Sequence, residues 1–243
     1  MFSERIQPLI WQRDFGCQGR AIDWGRLSCL MYPVAKQVTD LVLSLLLLVL
    51  TGPLMVIIAL AIKLDSPGPV LYVQRRVGLN GRVFDFYKFR SMTNSHDHSQ
   101  EHRAFAQAYI NGANVASLRD DSGNVIFKPV TNGHRVTRVG HWLRRTSLDE
   151  LPQLFNVIKG DMSLVGPRPS IDYEVDMYTP RHVQRLAVLP GLTGWAQING
   201  RSSLTFDEIV TLDLEYIAQR SLRKDLSILL ATLPVVLQAD SAG

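Results

Sequence analysis

The chain has 243 residues, of which 46% are apolar and 20% charged, and 26 basic side chains exceed 22 acidic ones to give a net charge of +4. This apolar content excludes a disordered chain, and the 12 prolines and 17 glycines follow no collagen-like period. Two cysteines, Cys17 and Cys29, are too few for a disulfide-rich secreted scaffold, and we interpret both as free thiols in a reducing compartment.

An uncharged apolar segment occupies residues 41–62. As a helix, a segment of this length reaches about 33 Å, which is enough to span a bilayer core of about 30 Å. Some forty residues with scattered charges precede it, which excludes a signal peptide. We therefore predict a membrane helix over residues 34–63, preceded by an N-terminal extension over residues 1–33.

The sequence leaves two geometries open for this helix. Gly52 and Pro53 lie at its middle, and Pro53 removes the amide that would bond the carbonyl of Val49, so the helix is expected to break there. Basic residues flank it on both sides: Arg20, Arg26 and Lys36 before it, and Lys63, Arg75, Arg76 and Arg82 after it. A re-entrant helix keeps both flanks on the cytoplasmic side, and we favour it; the alternative is a kinked helix that spans the membrane.

The catalytic part is predicted over residues 64–243, in an α/β fold that is mostly helical with a small β-hairpin. The hairpin is predicted from strands over residues 70–73 and 83–90 around a turn at 78–81, with Phe84, Phe86 and Lys88 on one face. Residues 94–134 are polar and are interpreted as an insertion with a helix near 101–111. The histidines of this insertion lack an organised ligand pattern, which favours a solvated loop over a metal site.

A further helix is predicted to end at Gly160, from apolar side chains at Leu151, Leu154, Phe155 and Ile158. We expect it to begin a few residues before Pro152, with Asp149 and Glu150 at its N-terminus. The remaining predicted elements are a stiff loop at 166–169, a turn-rich segment at 189–201, a helix over 206–221 and an interfacial or packed helix over 226–237.

Asp149 and Glu150 are the strongest candidates for residues that carry chemistry in this chain. A helix N-terminus favours both ionised carboxylates and bound phosphate. Adjacent residues point about 100° apart around a helix, so one carboxylate is suited to attack and the other to hold a metal. Arginines suited to phosphate oxygens surround the pair in sequence: Arg135, Arg138, Arg144, Arg145 and Arg168. The alternative is that the carboxylates only cap the helix and the arginines face anionic lipid.

Five further segments form a recognisable set: YVQRRVG at 72–78, YKFRSM at 87–92, SLDELPQLFNV at 147–157, GDMSLVGPRP at 160–169 and PGLTGWAQINGR at 190–201. Together they resemble one family, the bacterial sugar transferases called monotopic phosphoglycosyl transferases. They occur in the family's order, and the resemblance covers roughly residues 34–237. It implies a monotopic membrane protein whose re-entrant helix is broken at a proline, which matches Pro53.

The resemblance also implies the reaction and its partners. Such enzymes transfer a sugar 1-phosphate from a UDP-sugar to polyprenyl (undecaprenyl) phosphate and release UMP, which initiates exopolysaccharide, O-antigen or related glycan assembly. The expected location is the cytoplasmic face of the inner membrane. No nucleic acid partner is expected, and whether the chain forms a homo-oligomer is left open, as is the sugar.

Site residues follow by the same resemblance. Asp149 would be the nucleophile that forms an aspartyl-phosphosugar intermediate, and Glu150 would bind Mg²⁺. Arg168 and Arg144 would bind substrate phosphate. Lys88 and Arg90 would bind substrate or, equally, lipid headgroups. Arg201, with Trp195 and Gln197, belongs either to the substrate pocket or to a turn packed on the core.

Two other functions fit parts of the pattern. A membrane-bound diphosphate hydrolase would pass the same phosphoryl group to water and need no lipid acceptor. A catalytically silent scaffold would be expected to have lost the carboxylate pair or the arginine loop, and both are intact.

Overall fold

The computed structural model describes residues 24–93, 99–112, 136–200 and 204–237 and is mostly helical with two small sheets. Its helices are α1 Trp24–Asp65, α2 Ser99–Ile110, α3 Arg138–Thr146, α4 Gln153–Ile158, α5 Asp172–Val175, α6 Pro180–Val183, α7 Trp195–Ile198, α8 Phe206–Gln219 and α9 Leu222–Leu237. Its strands are β1 Leu71–Val77, β2 Val83–Phe89, β3 Ser163–Val165, β4 Ser170–Ile171 and β5 Gly191–Thr193. The predicted fold class, mostly helical with a small hairpin, is confirmed.

Strands β1 and β2 form the predicted hairpin. They pair antiparallel from Leu71 opposite Phe89 to Val77 opposite Val83. Asn80 and Gly81 in the turn have φ angles of 54° and 78°, which is the left-handed backbone that Asn and Gly tolerate best. Strand β4 pairs with the other edge of β1 next to the turn, and β3 and β5 form a separate parallel pair.

Strand β2 buries aromatic side chains on both of its faces, which explains why it has no cleanly polar face. On one face, Phe84 and Phe86 pack with Leu154 of α4 and Leu164 of β3. On the other face, Phe89 packs with a cluster from α1 and α3 that comprises Ile58, Ile62 and Leu143. The hairpin therefore lies between the long helix α1 and the helices that follow it.

Among the described residues, one helix, Tyr32–Asp65, is long and apolar enough to cross a membrane by length and composition. Helix α1 is continuous through Pro53. A Cβ atom added at Gly52 would meet no other heavy atom within 4 Å. Packing therefore does not require glycine at position 52. The break at Gly52 and Pro53 stays a prediction.

Both halves of α1 pack against the rest of the fold. In the first half, Lys36 Nζ lies 3.1 Å from Asp40 Oδ1 and 3.2 Å from Asp225 Oδ2 of α9. In the second half, Ile58 and Ile62 are buried against β2 and α3. The remaining surface of α1 is apolar and exposed, at Leu45, Leu46, Val49, Leu50, Val56, Ile57 and Leu60 among others.

Two of the basic residues that flank the membrane segment in sequence make contacts inside the fold instead. Lys36 belongs to the buried ion-pair cluster just described. Arg76 donates to the backbone carbonyl of Pro169 at 3.0 Å. Fewer basic residues are therefore left to flank the membrane segment than the sequence pattern suggested.

The helix predicted around Asp149 begins later than expected. A 3-10 turn, Leu148–Glu150, precedes α4, which starts at Gln153. The expectation that the helix begins before Pro152 is wrong, because Pro152 lies directly before α4 and Ser147 has a left-handed φ of 56°. Helix α2 matches the helix predicted inside the insertion, while residues 94–98 and 113–135 lie outside the described residues.

Candidate active site

Asp149 and Glu150 lie in the short turn between α3 and α4. Thr137 caps the start of α3 by accepting a hydrogen bond from Gly140 N at 2.9 Å, and Asp65 at the end of α1 accepts one from Val139 N at 3.1 Å. The left-handed backbone at Ser147 then ends α3 and reverses the chain. The two carboxylates therefore lie on a turn whose preceding helix is fixed at its N-terminus.

Asn156 attaches α4 to the hairpin. Its side-chain amide donates to the carbonyl of Asp85 at 2.6 Å and accepts from the amide of Tyr87 at 3.1 Å. Asn156 is fully buried. Its two hydrogen bonds pair backbone groups at the edge of β2 that a neighbouring strand would otherwise pair. This attachment places the turn that carries Glu150 beside Lys88, the next residue of β2.

Lys88 contacts both carboxylates. Its Nζ atom lies 2.7 Å from Glu150 Oε1 and 3.7 Å from Asp149 Oδ2. The same ammonium lies 5.6 Å from the centre of the Phe86 ring, on the face that the sequence predicted for both residues. Asp149 itself is buried, with 9% of its surface exposed.

Arg168 approaches Glu150 from another loop. Its Nη2 atom lies 2.8 Å from Glu150 Oε1, so this one oxygen accepts from two cations. Burial of the Glu150 carboxyl would raise its pKa, but the charges of Arg168 and Lys88 outweigh burial and hold the pKa well below its usual range. Glu150 is therefore ionised at neutral pH.

The arrangement combines two carboxylates with two cationic groups that can bind phosphate. A guanidinium and an ammonium are the side chains that bind phosphate oxygens most strongly. No group of three or more His, Cys, Asp or Glu side chains that could hold a metal is found in the described part of the chain. Mg²⁺, however, is commonly bound by one or two carboxylates together with substrate phosphates, and the Asp149 and Glu150 pair fits that mode.

The structure brings together four of the predicted site residues, Asp149, Glu150, Lys88 and Arg168. Two others make different contacts. Arg144 Nη1 donates to Met92 Sδ at 3.7 Å. Arg90 is buried and donates to the carbonyls of Ser66 and Pro67 at 2.7 and 2.8 Å, beyond the end of α1.

The segment at 189–201 is described only in part. Arg201 lies outside the described residues. The indole nitrogen of Trp195 and both amide atoms of Gln197 are buried without a hydrogen-bond partner among the described residues. Their assignment to a pocket or to a packed turn stays a prediction.

Sequence reasoning missed four residues that build this site: Asn156, Arg76, Arg185 and Asp213. Asn156 and Arg76 lie inside matched segments, so the resemblance could have flagged them. Arg185 Nε lies 2.7 Å from Asp213 Oδ2 in the core, and no local pattern connects two residues 28 positions apart.

Comparison with known proteins gives one consistent family. The model for the family described as "Bacterial sugar transferase" matches residues 31–239. An undecaprenyl-phosphate glucose phosphotransferase from Komagataeibacter xylinus is 42% identical over 213 residues, which is 82% of this chain and 35% of the relative. An undecaprenyl-phosphate galactose phosphotransferase from Salmonella typhimurium is 41% identical over 85% of this chain and 41% of its own length.

A third relative matches over more of its own length. The UDP-glucose:undecaprenyl-phosphate glucose-1-phosphate transferase of Caulobacter vibrioides is 40% identical over 228 residues, which cover 90% of this chain and 75% of the relative. The chain thus spans less than half the length of the first two relatives and three quarters of the third.

Proposed function

The chain belongs to the bacterial sugar transferase family, and we propose that it transfers a sugar 1-phosphate from a UDP-sugar to undecaprenyl phosphate and releases UMP. The names of the relatives above support the acceptor and the phosphosugar class. The reaction would start the assembly of an exopolysaccharide, an O-antigen or a related glycan.

One observation carries this proposal: the carboxylates of Asp149 and Glu150 face Lys88 and Arg168 in a single cluster. A carboxylate can attack phosphorus only when nearby positive charge offsets the repulsion between two anions. Lys88 supplies such a charge 3.7 Å from Asp149, and Arg168 supplies another 2.8 Å from Glu150 Oε1.

The proposed reaction has two steps with Asp149 as the nucleophile. In the first, an Asp149 carboxylate oxygen forms a bond to the sugar-bearing phosphorus, and the bond from that phosphorus to the UMP oxygen breaks. In the second, a phosphate oxygen of undecaprenyl phosphate attacks the aspartyl phosphosugar and frees the Asp149 carboxylate. Division into two steps avoids bringing two bulky anions together at once.

The neighbouring residues would position the donor. Lys88 and Arg168 would bind its phosphate oxygens, since both already hold a carboxylate oxygen at 2.7 and 2.8 Å. Glu150 would hold Mg²⁺, which when bound supplies positive charge against the diphosphate and the departing UMP. Chelation with EDTA is then expected to abolish turnover, and added Mg²⁺ to restore it.

We also propose that α1 is re-entrant and that the catalytic part lies on the cytoplasmic face of the inner membrane. The two halves of α1 pack on the same folded unit, through Lys36 with Asp225 and through Ile62 with Phe89. A helix that crosses the membrane would separate its two ends by the thickness of the bilayer. The exposed apolar surface between these contacts is suited to lipid.

The test is a UMP-release assay on the full chain in nanodiscs, with Mg²⁺ and a panel of UDP-sugars, with and without undecaprenyl phosphate. The panel is needed because relatives of almost equal identity are named for glucose and for galactose. We expect UMP release that depends on the lipid. Equal release of UMP and sugar phosphate without lipid would establish a hydrolase instead, and no release with any donor would contradict an enzyme.

Asp149→Asn tests the nucleophile. The substitution keeps the size of the side chain and one acceptor oxygen but removes the attacking charge, so we expect loss of turnover with the fold retained. Activity near that of the wild type would remove Asp149 from this role.

A further inference from the structure

The loop Gly166–Pro169 (residues 166–169) is held by its carbonyl oxygens. The carbonyl of Pro167 accepts from the amide of Gly191 at 2.8 Å, that of Arg168 accepts from Arg185 Nη2 at 3.4 Å, and that of Pro169 accepts from Arg76 Nη1 at 3.0 Å. The amide of Gly166 donates to the carbonyl of Thr193 at 2.9 Å, but the two prolines have no amide hydrogen to donate, so the carbonyls of residues 167–169 are held by donors outside the loop. Two of these three donors are guanidinium groups, of which that of Arg185 is buried and that of Arg76 half-buried.

Arg185 is an uncommon residue to find in a core. Its side chain is 5% exposed, and that of its partner Asp213 is 2% exposed. A buried ion pair is often no more stable than a pair of apolar side chains of the same size, so stability alone is a weak reason for its presence. Its guanidinium also donates to the hydroxyl of Tyr178 at 2.9 Å, which lies 2.5 Å from the hydroxyl of Ser170, just after the loop.

The side chain of Arg168, in contrast, has little else to fix it. It is 45% exposed, and among the described residues its side chain pairs with Glu150. The position of its guanidinium therefore depends on the backbone from which it projects. A displacement of about 1 Å in a group that binds the reacting phosphate can cost about 100-fold in rate.

We propose that Arg185, oriented by Asp213, is a positioning residue that holds the Arg168 backbone so that the Arg168 side chain reaches both Glu150 and the donor diphosphate. The ligand in this proposal, a nucleoside diphosphate, rests on the proposed function. The anchoring of the loop backbone by Arg185 does not. Arg76 holds the next carbonyl in the same way, and the loop is thereby anchored from two sides.

Two variants of Arg185 separate positioning from folding. Arg185→Met removes the donor to the Arg168 carbonyl and leaves Asp213 without its buried partner. Arg185→Lys retains a charge for Asp213 but cannot present the second guanidinium nitrogen to the loop, so it is expected to fold even if Arg185→Met does not. Arg181→Met is the matched control, because Arg181 lies one turn earlier and bonds Thr211 of α8 instead of the loop.

The first readout is hydrogen exchange of the peptide that covers residues 164–171 in the full chain. We expect faster exchange in this peptide for Arg185→Lys and Arg185→Met, with no such change for Arg181→Met. Unchanged exchange in the loop for both Arg185 variants would overturn the proposal. Faster exchange throughout the protein for Arg185→Lys would overturn it too, because it would indicate a general role in the core.

The second readout is the affinity for UDP with Mg²⁺, measured in a double-mutant cycle with Arg168→Ala. We expect Arg185→Lys to raise the Kd about 10-fold in the wild-type background and less than about 2-fold when Arg168 is alanine. Equal losses in both backgrounds would overturn the proposal. If wild-type chain binds no UDP while loop exchange still responds to Arg185, the proposed function fails and the anchoring of the loop stands.

Discussion

At the scale of single residues, Lys88 stands out because one ammonium contacts both candidate catalytic carboxylates. Removal of a charged donor from a water-poor site commonly costs 100-fold or more in rate. We expect Lys88→Met to lower kcat/KM for the UDP-sugar by about 100-fold, measured by UMP release.

Lys159→Met is the control for this substitution. Lys159 is exposed and bonds the Tyr87 hydroxyl at 2.6 Å, outside the carboxylate cluster. A similar loss of activity in both variants would mean that surface charge in general, and not the contact of Lys88 with the carboxylates, sets the rate.

Glu150 gives a prediction about pH and stability. Its pKa in the folded chain lies well below the ordinary value of 4.5, because Arg168 and Lys88 outweigh the effect of burial. A lowered folded pKa contributes stability that is complete above the unfolded pKa and is lost as the pH falls toward the folded one. Glu150→Gln is expected to lower the free energy of unfolding by about 1–3 kcal/mol at pH 7.

The difference between Glu150→Gln and wild type is then expected to shrink as the pH falls below about 4.5. Urea unfolding of both proteins in the same detergent from pH 7 to pH 3 measures it. A difference that stays constant over this range, or that grows in acid, would contradict the ion pairing of Glu150.

At the scale of elements, Arg90 is expected to stabilise the end of α1. Its guanidinium bonds the backbone of Ser66 and Pro67 and the Ser66 hydroxyl, at distances of 2.7 to 3.0 Å. Arg90→Met would leave the buried Ser66 and the Arg90 bond to Pro67 without their donor, and we expect a loss of about 2–4 kcal/mol in the free energy of unfolding with an unchanged KM for the UDP-sugar. Thermal unfolding and UMP-release kinetics on the same preparation provide both numbers.

Arg82→Met, at an exposed position in the hairpin turn, is the control for Arg90. If Arg90→Met instead raised KM tenfold and left the unfolding temperature unchanged, the original expectation that Arg90 binds substrate would be supported.

The elements that sequence predicted well are those set by local residues. The hairpin follows from alternating apolar residues around a glycine-containing turn, and its register agrees with the predicted face of Phe84, Phe86 and Lys88. The start of α4 was missed because Ser147 adopts a left-handed backbone that serine seldom adopts, so the chain turns before the helix begins.

The site was predicted only where it lies in continuous motifs. Asp149, Glu150, Lys88 and Arg168 are readable from the sequence, but the placement of Lys88 beside the two carboxylates depends on Asn156, which bonds the backbone of β2 from a distant segment. Arg185 and Asp213 carry no local signal at all, since their pairing exists only after α8 packs in the core. Long-range placement of polar side chains is therefore what sequence reasoning lacked.

At the scale of the whole molecule, the long helix α1 is joined to the rest of the fold along one side. Its buried or half-buried positions recur every three or four residues, from Lys36 and Asp40 to Ile58 and Ile62, which is the spacing of one helix face. Lys36 pairs with both Asp40 and Asp225, so α1 and α9 are linked by charge as well as by packing. The opposite surface is left apolar and exposed, as expected for contact with lipid.

This arrangement predicts the topology of α1. Gln37 and Leu64 are exposed near its two ends, with Leu64 89% exposed, and a straight helix from one to the other would extend about 40 Å. A spanning helix would put these positions on opposite sides of the membrane, whereas contacts of both halves with one folded unit require the same side.

We expect cysteines at both positions, in a chain with Cys17 and Cys29 replaced by serine, to be shielded from an impermeant maleimide added to intact cells and labelled after permeabilisation. Ala218→Cys on α8 marks the side of the catalytic part and should behave identically. Labelling of Gln37→Cys alone in intact cells would mean that α1 crosses the membrane, which would require the Lys36 and Asp225 contact to be absent in the cell.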